Sequence, residues 1–160
     1  MNPTAKTSRP SEKELLLTRV IDAPREKLYR AWTDPEILKG FFTPKPWKTT
    51  RAEIDVRPGG GSLIVMADPD GKEYPNEGVY LDVVENSRLV FTDAFTAGWV
   101  PSGKPFMTAF ITFEDEGGKT RYTARVLHWS KEDCDEHEKM GFHEGWSQAA
   151  DQLEEVVAKL

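Results

Sequence analysis

From Trp47 to Ser130 the chain alternates strand-like runs with turn signals about every dozen residues, the spacing of an antiparallel meander. The runs are "WKTTRAEIDV", "GSLIVMAD", "EGVYLDVVE", "RLVFTDAF", "FMTAFITFED" and "TRYTARVLHW". Between them stand "RPGGG", "DPDGKEYP", "ENS", "TAGWVPSGKP" and "DEGGK", built from the Gly, Pro, Asn and Asp that reverse a chain. In the last two runs the alternation is clean. Met107, Ala109, Ile111 and Phe113 share one face, and Tyr122, Ala124, Val126 and His128 share another, with Thr123 and Arg125 opposite.

The flanks are helical. "ELLLTRVIDA" reads as a first strand ending at Asp-Ala-Pro. Pro24 then suits a first helical turn, and Leu28, Ala31 and Trp32 fall on one side of the helix it opens. Asp34 is placed to cap a second, short helix that begins at Pro35 and cannot pass the prolines of "TPKPW". At the other end, Ser130-x-x-Asp133 resembles a capping box. Beyond it Phe142, Trp146, Ala149, Ala150, Leu153, Val156, Val157 and Leu160 recur at steps of three and four, with Gly141 as a candidate break. Residues 1–12 are polar and proline-containing and read as a flexible tail, so the folded domain is expected over 13–160.

The expected architecture is α+β: a curved antiparallel sheet of seven strands, two short helices after the first strand, and a long C-terminal helix across the sheet. One helix cannot fill a whole concave face, so a cavity is expected between them.

Composition narrows the function classes. A net charge of −6 gives no basic face for nucleic acid. Cys134, the one cysteine, excludes an intramolecular disulfide and a four-cysteine zinc site. No segment approaches the ~20 apolar residues of a membrane span, and the N-terminal residues lack a signal-like apolar stretch. A cytoplasmic protein without membrane partners is expected.

Four phrases in order, "IDAPREKLYRAWTDPEILKGFF", "DPDGKEYPNEGVYLDVVENSRLVFTD", "FEDEGGKTRYTARV" and "MGFHEGWSQAADQLEEVV", resemble the bacterial proteins named after the activator of the ninety-kilodalton heat-shock chaperone's ATPase. These are AHSA1-like members of the START-like, or SRPBCC (Bet v 1-like), superfamily. The resemblance runs from about Glu14 to Leu160. It implies a helix-grip fold, in which other superfamily members carry lipids, bind hydrophobic ligands, sequester antibiotics or cyclise polyketides. A chaperone partner is a further implication of the family's name.

Metal chemistry is the first candidate at "HEKMGFHEGW". His137 and His143 are six residues apart, roughly 240° around a helix, and His137 and Glu144 are about 10.5 Å apart along one. Only Cys134, His137 and Glu138 sit close together, and the cluster is expected to be the solvated outer face of a helix. No metal and no cofactor are therefore expected. His128 continues the inward alternation of its strand, as a pocket group or as a hydrogen-bonded residue at the core edge. Asp93 falls with Leu89, Phe91 and Phe95 on an apolar face, where burial would raise its pKa.

The expected pocket or pocket mouth comprises Trp47, Met66, Tyr80, Phe91, Asp93, Phe95, Trp99, Phe106, His128, Phe142 and Trp146. The leading expectation is a binder of a small hydrophobic ligand, without catalytic residues. Two others stay open: a cyclase or hydrolase using His128 with Asp93 or Tyr80, and a chaperone-interaction module. A homodimer is not readable from the sequence.

Overall fold

A computed structural model describes residues 6–160 of the chain. Its strands are β1 (Lys6–Ser11), β2 (Glu14–Ile21), β3 (Lys48–Ile54), β4 (Gly61–Ala67), β5 (Glu73–Val84), β6 (Arg88–Thr92), β7 (Phe95–Thr96), β8 (Val100–Pro101), β9 (Met107–Glu116) and β10 (Lys119–His128). The helices are α1 (Arg25–Thr33), α2 (Pro35–Leu38), α3 (Lys131–Lys139) and α4 (Phe142–Val157). Eight strands form one antiparallel sheet in the order β1-β2-β10-β9-β6-β5-β4-β3, and β7 pairs with β8 in a small separate ribbon. This is the expected helix-grip arrangement with one more strand in the sheet.

The extra strand is β1, which lies in the stretch read as a tail; residues 1–5 fall outside the described part. Lys6, Thr7 and Ser8 stand opposite Thr18, Leu17 and Leu16. An edge strand needs no apolar face, since the ladder on the open side of β2 supplies its order. Arg9 adds ion pairs to Asp135 at 2.8 Å and Glu138 at 3.0 Å on α3. Polarity therefore concealed a strand held by backbone and charge.

Alternation determines which side chains enter the core. On β2 Leu15, Leu17, Arg19 and Ile21 point inward, and register sets Leu17 against Ala124, which in turn faces Ile111 on β9. The helix α4 lays Phe142, Ala150, Leu153 and Val157 onto this surface. Each fully buried leucine of the set contributes about 2 kcal/mol of transfer free energy. Gln152 ties α4 to the segment after α2: its Nε2 donates to the carbonyls of Phe41 (3.2 Å) and Thr43 (2.9 Å), and its Oε1 accepts from Lys45 N–H (3.0 Å). Burying this amide costs little because its hydrogen bonds are made.

Helix ends follow the chemistry read from sequence. Asp34 accepts from the N–H groups of Glu36 and Ile37, and Ser130 accepts from Asp133 N–H. Gly141, at φ 97°, separates α3 from α4 in a left-handed conformation that glycine adopts without strain. The break turns α3 across the end of β10 rather than extending α4 into solvent.

Candidate functional site

The inner face of the sheet has two unlike halves. Under α4, Leu15, Leu17, Leu28, Ile111, Ala124, Val126 and Leu153 have no accessible surface. A space large enough for a ligand would expose its walls to a water-sized probe, so this half is filled by its own side chains. Around these described residues no cavity remains beneath the helix. α4 lies on the β2 side, against α1, and its stripe is spent on packing.

Toward β3 several apolar side chains keep accessible surface. Ala52, Ile54 and Val56 from the β3 segment, Phe91 from β6 and Met107 from β9 are only half-buried while packing on the core. Ile37, Phe42 and Trp146 are half-buried as well. Ile64 and Tyr80 are buried in the same core cluster. Burial pushes the Tyr80 phenol well above its ordinary pKa, so it stays an O–H donor next to Ser62. The partly accessible side chains here are apolar, with the Tyr80 hydroxyl as a polar neighbour, the composition of small-molecule sites.

The eleven expected residues divide into groups. Tyr80 meets Phe91 edge-on at 6.3 Å, and Phe91 lies 6.0 Å from Trp32. Phe106 stands edge-on to His128 at 5.5 Å, and Phe142 stacks on Trp146 at 5.3 Å. Trp47 stacks on Tyr74 at 5.2 Å, and Met66 pairs with that same Tyr74 across the β4–β5 ladder. Phe95 and Trp99 meet each other at 5.8 Å in the ribbon, where Trp99 is half exposed and has a φ of 60°. Of two shallow grooves of about 350 and 380 Å³, one runs along Lys48, Thr50 and Asp68 and the other along Ile54, Ser62 and Ala97, and none of the eleven lines either.

Asp93 is occupied with structure. Its Oδ1 accepts from the N–H groups of Phe106 (2.8 Å) and Met107 (3.2 Å), closing the turn into β9. Burial raises its pKa, and those two bonds pull it partly back. His128 has both ring nitrogens engaged, Nδ1 with the Lys13 carbonyl at 3.0 Å and Nε2 with His137 Nδ1 at 2.8 Å. Among the described residues no hydrogen bond joins His128 to Asp93 or Tyr80, so the acid–base set envisaged from sequence is not assembled.

His137 corrects the reading of the "HEKMGFHEGW" cluster as a solvated face. It is mostly buried, with ring contacts to Phe106 (5.3 Å), Phe142 (5.2 Å) and Trp146 (6.4 Å). Cys134, one turn earlier, is fully buried, and burial pushes its thiol up. Their i,i+3 spacing was the signal available, a two-residue apolar stripe on a short helix. Burial and the neighbouring His128 hold His137 down at about 4. His143 turns away and pairs with Glu138 at 2.7 Å. Among the described residues no three His, Cys, Asp or Glu side chains converge as a metal cage, and no helix is long and apolar enough to cross a membrane.

Comparison with known proteins places this geometry. The family model described as "Activator of Hsp90 ATPase homolog 1-like protein" matches residues 22–158. A solved structure from Nitrosomonas europaea is 40% identical, with 93% of this chain and 96% of that chain covered and a TM-score of 0.90. One from Mycobacterium smegmatis is 27% identical over 96% of each chain, with a TM-score of 0.82. An AHSA1-like protein from Aeromonas hydrophila shares the fold at 20% identity, covering 91% of this chain and 92% of that one, with a TM-score of 0.70. The curated proteins gave no match.

Proposed function

This chain belongs to the family of Activator of Hsp90 ATPase homolog 1-like proteins, and on that premise we propose that it holds a small hydrophobic ligand against the open half of its inner face. One observation carries the reading: Ala52, Ile54, Phe91, Met107 and Trp146 stay half-buried beside a core whose other half is sealed. Apolar surface left accessible gains free energy from any apolar molecule that covers it. Of the eleven residues expected from sequence, Tyr80, Phe91, Phe106, His128, Phe142 and Trp146 belong at this site or its rim. Trp47, Met66, Phe95 and Trp99 stand further out, as approaches to it, and Asp93 holds the rim in shape. The lone, buried Cys134 suits work in a reducing compartment such as the cytoplasm. Thermal unfolding in the presence of a panel of hydrophobic small molecules tests the reading. Support is a concentration-dependent rise in Tm that Phe91→Ala weakens; a panel that leaves Tm unmoved counts against it.

A second reading, an interaction module for a chaperone, has its own observation. Trp99, Val100, Trp129 and Met140 are each more than half exposed, and exposed apolar side chains of this size suit a protein partner or a second copy of the chain. Unchanged chaperone ATPase rates on adding the protein would count against it.

A further inference from the structure

His128, buried, and His137, half-buried, have their protons assigned by geometry. A backbone carbonyl can only accept, so the 3.0 Å contact from His128 Nδ1 to Lys13 O requires a proton on Nδ1. A neutral His128 then has a bare Nε2, which can only accept. The 2.8 Å contact to His137 Nδ1 therefore requires that His137 also carry its proton on Nδ1. What remains is His137 Nε2, a lone pair. Burial keeps His137 neutral at pH 7, so that lone pair persists.

This atom has no hydrogen-bonding partner among the described residues, yet it is not sealed in the core. Around its ring stand Phe106, Phe142 and Trp146. Trp146 is half-buried at the edge of the core, as is Met107, which pairs with His128 across the ladder. A single acceptor bracketed by aromatic rings makes a particular demand: apolar surface for the rings and one donor for the nitrogen.

We propose that His137 Nε2 is the polar recognition point of the ligand site, an acceptor that selects apolar ring molecules carrying a hydroxyl or N–H donor. This rests on the ligand-binding reading above and adds a chemical class to it. His128 is the positioning residue: anchored on Lys13, it fixes which nitrogen of His137 is bare. A ligand without a donor covers the same apolar surface and leaves the acceptor unpaired, which costs affinity.

The test compares two probes of the same shape, 2-naphthol and 2-methylnaphthalene, titrated into the full chain and followed by amide NMR shifts. The wild type is expected to bind 2-naphthol about fivefold more tightly, the worth of one neutral hydrogen bond. His137→Phe should remove that preference while 2-methylnaphthalene still binds. Equal affinity of the wild type for the two probes overturns the proposal and leaves the ligand-binding reading intact. Failure of both probes to bind overturns both. A measurement on the unmodified protein guards against a variant that misfolds: imidazole nitrogen shifts should report Nδ1–H on both His128 and His137 at pH 7. An Nε2–H tautomer at His137 overturns the assignment.

Discussion

His128 Nε2 lies 2.8 Å from His137 Nδ1, a bond across nine residues that fastens α3 to the end of β10. Both imidazoles sit among rings and pack neutral, and burial lowers the pKa of each. The pair makes the fold sensitive to acid.

The sign of that sensitivity follows from His137. The unfolded chain takes up its proton near pH 6.5, whereas the folded one resists until about 4. Between those values the unfolded state binds more protons, so stability is full above pH 6.5 and falls as pH drops toward 4. His128, shifted in the same direction, adds to the loss. About 2–3 kcal/mol is expected to go over this window. Urea unfolding of the wild type and of His137→Phe at a series of pH values checks it. The variant should show the flatter profile between pH 6.5 and 4.

Arg19 offers a different test of burial. Only 2% of its side chain is exposed, and its Nη1 reaches Asp151 at 2.6 Å and Glu154 at 3.4 Å on α4. A buried cation stripped of its partners is worse than no cation. Asp151→Asn combined with Glu154→Gln should therefore destabilise by about 1–3 kcal/mol, more than Arg19→Met, which removes charge and keeps volume. Chemical denaturation of both variants decides the order.

The two halves of the inner face should differ under truncation. Leu153→Ala, in the sealed half, is expected to cost about 2–5 kcal/mol because the cavity it leaves cannot collapse. Ile54→Ala, at the open half, should cost about 1 kcal/mol, since its side chain is only partly buried. Similar losses at both positions would contradict the division.

Backbone proximity makes Gly78 irreplaceable for a separate reason. A Cβ there would overlap the Thr92 carbonyl, where β5 passes the end of β6. Gly78→Ala is expected to destabilise by about 1–3 kcal/mol, measured by thermal unfolding, because the atom that must move is backbone.

Much of the fold could be read before any coordinates. Period-two alternation grouped Ile111 with Ala109 and Phe113, and Ala124 with Tyr122 and Val126, and the three-and-four stripe from Phe142 found the helix that covers them. The strand β1 was hidden because an edge strand is fixed by the ladder and by Arg9, and neither leaves an apolar pattern. The ribbon β7–β8 was hidden because two-residue strands have no period.

At the site the sequence was less informative. It marked the aromatic residues but not which would touch, since Tyr80 and Phe91 meet across a ladder whose register shifts at a bulge. His137 escapes a solvated-face reading because a break at Gly141 does not by itself say what the short helix packs on; α3 lies against β10, and His137 meets Phe106 and Phe142 there. Asp93 lies just past the end of β6, where strand alternation no longer assigns a face, and its carboxylate is committed to two backbone N–H groups.

Amide-resolved NMR titration with 2-methylnaphthalene locates any binding on the inner face. Saturable shifts at Ala52, Ile54, Phe91, Met107 and Trp146, with Leu15, Leu17 and Leu153 unmoved, are expected if the open half is the ligand site. No saturable shift, or shifts centred on the sealed half beneath α4, would contradict it.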